Sequence, residues 1–361
     1  MTINRRDLFG LAAGVGGALE FGVGAEAQAQ DVARARQPGQ IPEGRIDFHQ
    51  HIMPPGYADW LDQRITVTYP QPKWTPEAAI AANDALGNQG SYMSVSSPGI
   101  QFGNTKESRE YARRCNEYTA KVSSDRPDRL GWFAVMVLPD VEGSIAEAVY
   151  ALDVLKADGV IALANSWGGI YLGHPSFDPL MEELNKRKTI MFVHPTDLWN
   201  SVYMDIAAPP FLDFLLDTTR AAVYMAKRRI PTRYPDLKII LSHGAGFIPY
   251  HAQRVAVALQ PPQSAENPPP AADPLNRNME ELQKFYFDIT SAMTPYAMPS
   301  ILAFAKPTHI LTGFDFPHAG LQGGVAAGKA FDEMLLPDAL RAAITRENGL
   351  QLSNRFATKK A

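Results

Sequence analysis

The stretch Asp47-Phe48-His49-Gln50-His51 sets two histidines two residues apart in a run that reads as a β-strand. Side chains two apart on a strand project to the same face. His49 and His51 therefore offer neighbouring imidazoles, while Gln50 faces the other way. Two neutral imidazoles aimed at one point suit a divalent metal such as zinc. Met53-Pro54-Pro55 ends the strand at once, so the pair sits at its C-terminal end. Taken alone, such a pair serves equally well as buried packing, and the rest of the chain has to decide.

Three further apolar runs end on groups that can bind a metal or move a proton. They are Phe192-Val193-His194-Pro195, Leu241-Ser242-His243-Gly244 and Leu311-Thr312-Gly313-Phe314-Asp315. The chain has 8 histidines, and four of them fall at these strand ends. Random placement would scatter them over both strand ends and the helices. The remaining histidines read differently. His309 opens a strand, at the opposite end, where a role in stability is expected. His251 belongs to a helix surface and His174 to a solvated Gly-His-Pro loop. His318 follows Phe316-Pro317 on the same rim as Asp315 and is a candidate lining residue.

The elements that must position these groups alternate. Strands are expected over 45–51, 91–97, 131–137, 159–164, 189–194, 237–243, 285–290 and 309–313. Helices are expected over 75–86, 105–123, 144–156, 177–186, 209–229 and much of 247–259. Thr75-Pro76 has the form of a helix start. Segment 54–74, with Tyr57, Trp60, Tyr69, Trp74 and several prolines, reads as a loop over the site. Continuously apolar strands alternating with helices predict a parallel sheet covered by helices. Eight such units fit the α/β class and one closed (β/α)8 TIM barrel. An open doubly wound sheet would want a Gly-rich phosphate turn after its first strand, and His51-Ile52-Met53-Pro54-Pro55 is not one. In a closed barrel, strands eight and one are neighbours, which brings Asp315 beside the histidine pair, with His194 facing them from strand five.

Before the barrel, Asn4-Arg5-Arg6-Asp7-Leu8-Phe9 leads into a weakly apolar, glycine-rich run ending in Ala25-Glu26-Ala27-Gln28-Ala29. This has the form of a signal peptide over residues 1–30. The paired arginines resemble a twin-arginine export signal, although Leu8 and Phe9 stand in swapped order and Glu20 interrupts the apolar run. A periplasmic location follows as an expectation. Residues 31–44 read as a linker and 45–361 as a single catalytic domain. No later stretch has the length and apolarity of a membrane span.

Of 361 residues, 45% are hydrophobic and 20% charged, enough for a large core. Lys+Arg 34 against Asp+Glu 38 gives a net charge of -4, which points away from nucleic acid and anionic membrane surfaces. The single cysteine, Cys115, excludes an intrachain disulfide.

Taken together, the motifs around His49, His194, His243 and Asp315 resemble the amidohydrolase superfamily over about residues 45–356. The resemblance is to the branch holding aminocarboxymuconate-semialdehyde decarboxylase and, more weakly, to 6-methylsalicylate decarboxylase relatives. It implies that His49, His51, His194 and Asp315 hold one divalent ion, usually zinc, with manganese also acceptable. It implies a catalytic role for Asp315 and for His243, a histidine beside the metal rather than a ligand. Arg254 matches an arginine that binds a substrate carboxylate in relatives, in some across a dimer interface, so a homodimer is expected. Two departures stand out. Phe314 replaces the serine usual before the aspartate, and no lysine ends strand four, which argues against the two-metal branches. The implied activity is non-oxidative decarboxylation of a small aromatic acid, with Trp74, Trp167 and His318 as candidate substrate contacts. Hydrolysis of a lactone, ester or amide at the same site is the alternative. A silent barrel acting as a binding protein is a third possibility, disfavoured by the complete ligand set.

Overall fold

In the computed structural model, residues 44–65, 71–198, 209–259 and 274–357 are described. The expected signal peptide, the expected linker up to residue 43, Tyr69 and Trp199 lie outside the described residues. Eight strands, β1 (Arg45–His51), β2 (Asn88–Ser94), β3 (Leu130–Val135), β4 (Gly159–Leu163), β5 (Ile190–His194), β6 (Lys238–Leu241), β7 (Tyr286–Asp288) and β8 (Ile310–Leu311), follow one another in space as in sequence. Every neighbouring pair is parallel. The segment after β8 closes the ring against β1. Phe48 N donates to Thr312 O at 2.9 Å, Asp315 N to His49 O at 2.7 Å and His51 N to Phe316 O at 2.7 Å. These bonds make the sheet the expected (β/α)8 barrel, and the second of them carries Asp315 to the histidine pair.

The strands are buried on both faces, as a parallel sheet inside a helical shell requires. Where the local chemistry was explicit, the elements follow it. Thr75 caps the helix Pro76–Leu86 by accepting from Ala78 N, and Gly87 ends it in the left-handed region at φ 68°. The other long helices, Thr105–Asp125, Val141–Asp153, Asp178–Lys186 and Pro209–Lys227, lie close to their expected spans. Among the described residues no helix is long and apolar enough to cross a membrane.

Two expectations need correction. The segment 54–74 is not all loop, since Tyr57–Asp62 is helical. Tyr57 and Leu61, one turn apart, are both buried. The Tyr57 hydroxyl donates to Gly99 O at 2.7 Å, and Trp60 stacks on Tyr111 with centroids 4.1 Å apart. The interval between apolar residues here is helical, and proline density hid it. The second correction concerns strand ends. β2 stops at Ser94 and β6 at Leu241, so Ser96, Ser97 and His243 sit in the turns beyond. His243 has φ 53°, a left-handed conformation that no strand can continue.

Candidate metal centre

The four side chains expected to bind metal converge at the C-terminal mouth of the barrel. One ligand atom from each of His49, His51, His194 and Asp315 lies within 4.8 Å of all the others. His49 Nε2 is 3.0 Å from His51 Nε2, and His51 Nε2 is 3.0 Å from Asp315 Oδ1. Each imidazole is turned by a partner on its other nitrogen. His49 Nδ1 meets Asp288 Oδ2 at 3.0 Å, His51 Nδ1 meets Ser94 O at 3.3 Å, and His194 Nδ1 meets Pro195 O at 2.7 Å. All three acceptors call for an Nδ1–H donor, which leaves every Nε2 with its lone pair facing the centre. Asp315 Oδ1 is buried there with no hydrogen-bond donor. Lone pairs packed this closely repel one another unless a cation sits among them. Three imidazole nitrogens and one carboxylate oxygen suit a divalent ion of the zinc or manganese type.

The electrostatics agree. Burial pushes His51 down to about 4, and burial together with His51 and His49 pushes His194 well below its ordinary value. Both rings are neutral donors at pH 7. Burial works against the charge on Asp315, but His49, His243 and His51 outweigh it and hold its carboxyl well below the usual range. Burial likewise opposes a proton on His49, yet Asp288 and Asp315 raise it overall. For His51 the folded chain binds fewer protons than an unfolded chain titrating near 6.5, so this part of the stability is lost as pH falls from 6.5 toward about 4.

Backbone strain gathers at the same rim. His243, Ala245, Ser291 and Asp315 all have positive φ, between 53° and 62°, as residues held by a functional site often do. Gly313 is required by close approach. A Cβ there would meet Thr290 Oγ1 at 2.3 Å and His49 Cβ at 2.8 Å. Phe314, the departure from the family pattern, does not reach the centre. Its ring is buried against Gly324 and Gly328 of the helix Gly320–Asp332.

The structure sorts the other candidates. The His243 ring lies 4.9 Å from that of His49, with Nε2 3.8 Å from Asp315 Oδ2. His318 packs 5.2 Å from His51. Trp167 is among the residues that line a cavity of about 240 Å³ over the ends of β2 to β5, and none of the four cluster residues lines it. Arg254 is exposed on the helix Ala252–Ala258, and Trp74 is half-buried; neither joins the cluster or lines that cavity.

Asp288 escaped the sequence reading. It closes the apolar run of β7, so the rule that found His194 and His243 applies to it equally. Asp288 is fully buried, and its Oδ1 accepts from Thr290 N at 2.8 Å. A carboxylate behind a ligand histidine fixes its tautomer and raises its basicity. Asp288→Asn is expected to weaken metal binding about 10- to 100-fold without changing stoichiometry at saturation. Competition with a chelating indicator measures this, and unchanged affinity would remove Asp288 from the site.

Known proteins share these features. The family model described as Amidohydrolase matches residues 46–352. The decarboxylase yanB of Aspergillus niger is 34% identical over 86% of this chain and 88% of its own. A 6-methylsalicylic acid decarboxylase of Penicillium expansum is 31% identical over 86% of this chain and 97% of its own. Among solved structures, an amidohydrolase II superposes with a TM-score of 0.78 at 28% identity, covering 86% of this chain and 99% of that one. The dihydroxybenzoic acid decarboxylase of Polaromonas sp. JS666, solved with manganese and 2-nitroresorcinol, shares the fold with a TM-score of 0.72 at 19% identity, over 88% of this chain and 98% of that one. From the closed barrel, the donor cluster at its mouth and a match over almost the whole barrel, the chain belongs to the amidohydrolase family, on the branch its decarboxylase relatives occupy.

Proposed function

We propose that this protein is a metal-dependent, non-oxidative decarboxylase of a small aromatic carboxylic acid. The observation that carries the reading is the convergence of three Nε2 lone pairs and Asp315 Oδ1 on one point, with a fifth group, His243, beside them. The relatives named for decarboxylation of 6-methylsalicylic acid support it. His49, His51, His194 and Asp315 would hold the ion. Zinc is the preferred occupant on donor chemistry, with manganese the alternative. When bound, such an ion supplies positive charge that polarises a substrate oxygen.

The chain's own residues supply the rest. The cavity wall takes the ring and excludes water from it. His243 delivers a proton to the ring carbon as the bond to the carboxylate breaks. The electron pair of that bond forms the new C–H bond, and carbon dioxide leaves. Asp315 Oδ2, 3.8 Å from His243 Nε2, stabilises the imidazolium that carries the proton. Assay of hydroxybenzoates beside lactones and amides, with carbon dioxide and phenol as products, tests the reading. Turnover of the lactones or amides alone would replace it with hydrolysis.

We further propose that residues 1–30 direct export to the periplasm, residues 31–44 form a linker and the mature protein is a homodimer of single-domain chains. The Arg5-Arg6 start and the Ala27-Gln28-Ala29 end support the first point. N-terminal sequencing and sedimentation of protein from the native cell check both, and a full-length or monomeric product would refute them.

A further inference from the structure

A second cavity, of about 300 Å³, lies at the end of the barrel opposite the metal cluster. It forms where β6 begins at Lys238, β7 begins at Tyr286 and His309 leads into β8. Leu237, Ile239 and Phe285 give it a buried, apolar floor. Lys238 and Lys284 stand on its wall, and among the described residues that line it there is no aspartate or glutamate. Lys238 Nζ donates to a neutral acceptor, Pro235 O, at 2.8 Å. Lys306 is close enough to act on His309, and neither it nor Lys238 has an ion pair among the described residues. Lys284 Nζ does have a carboxylate, Glu281 Oε2 at 2.9 Å, but Arg229 Nη1 lies 3.7 Å from the same oxygen. One acid, buried behind the wall, is thus shared by two cations. The whole chain carries a net charge of -4, so this local excess of positive charge is not a general property of its surface.

The field of these lysines is felt at His309. Burial, with Lys306 and Lys238 adding to it, pushes that ring down to about 4. The ring stacks on Tyr286 with centroids 4.2 Å and planes 17° apart. The stack fixes the phenol at the cavity, and no described residue hydrogen-bonds its hydroxyl. Ammonium groups without acids, set over an apolar floor, favour an anion that has an apolar body. The charge gains short, charge-assisted hydrogen bonds, and the floor takes carbon out of water. A cavity of about 150 Å³ accepts benzene, so 300 Å³ takes a ring together with a charged group. We propose that this cavity is a second binding site, separate from the metal centre, for a small organic oxyanion. Lys238 and Lys284 pair with its charge, the Tyr286 hydroxyl donates to it, and its carbon body rests on Leu237, Ile239 and Phe285. Carboxylates and phosphate monoesters share this chemistry.

The test uses the full-length, zinc-loaded protein with benzoate, phenyl phosphate, inorganic phosphate and uncharged benzyl alcohol as probes. Calorimetry reads affinity in the wild type, Lys238→Ala and Lys284→Met. The His309 ring resonance, assigned by its loss in His309→Asn, reads occupancy through the Tyr286 stack. Benzoate or phenyl phosphate is expected to bind and shift that resonance, and benzyl alcohol to do neither. The tighter of the two tells a carboxylate site from a phosphate-ester site. Each lysine substitution is expected to weaken binding about tenfold, the loss of one hydrogen bond to a charged group. If Lys284→Met does not fold, having left Glu281 without one of its cations, Lys238→Ala decides alone. An anion held at the metal centre instead would keep its affinity in both variants and leave the His309 resonance still, and that result overturns the proposal. So does the absence of binding by both organic anions. Inorganic phosphate binding as tightly as phenyl phosphate and benzoate overturns it too, because the floor then contributes nothing.

Discussion

His49→Ala, His51→Ala, His194→Ala and Asp315→Ala are each expected to lose the metal and, with it, all measurable activity. Each removes one of the donor atoms clustered within 4.8 Å. Loss of an outer partner such as Asp288 typically weakens a metal 10- to 100-fold, and loss of a direct ligand should exceed the upper end of that range. Elemental analysis after dialysis, set against about one ion per wild-type chain, reads the effect. Circular dichroism separates it from unfolding, since an empty site also forfeits the stability that a bound ion adds. His51→Ala should be the best tolerated structurally, because its Nδ1 partners, Ser94 O and Oγ, remain in the β2 strand and water can replace the ring. Full metal retention in two of the four variants would show that the ligand assignment is wrong.

The second large effect separates His243 from the ligands. His243→Asn should keep metal content near wild type while activity falls at least roughly a hundredfold, the lower bound for a lost catalytic proton transfer. His243 stands at the cluster by its ring, 4.9 Å from His49 and 5.5 Å from His194, yet its nearest approach to Asp315 is 3.8 Å, longer than the contacts among the ligand atoms of His49, His51 and Asp315. His309→Asn is the control. That ring stacks on Tyr286 at 4.2 Å at the far end of the barrel and should alter stability rather than turnover. If His243→Asn loses metal as readily as His49→Ala, it is a ligand and the proposed division of labour fails. If it keeps both metal and activity, the proton travels by another route, with His318 the next group to replace.

The amino-acid order by itself determined the alternation of strands and helices, the number of barrel strands and the residue types at their ends. It did so because those features are local. Period-two and helical spacing, a Thr-Pro start and a Pro-Pro stop act within a few residues. The proximity of Asp315 to His49 was legible only through the inference that the barrel closes. The hydrogen bond from Asp315 N to His49 O across that closure is a contact between residues 266 positions apart. Only the tertiary structure decided the rest. It showed that Tyr57 and Trp60 pack against Gly99 and Tyr111, since aromatic residues look the same in sequence whether they face a ligand or a core. It turned Phe314 away from the centre, left Arg254 in solvent and placed Asp288 behind His49. Each outcome depends on which neighbour occupies the other side of a strand or helix, and that is set by long-range packing.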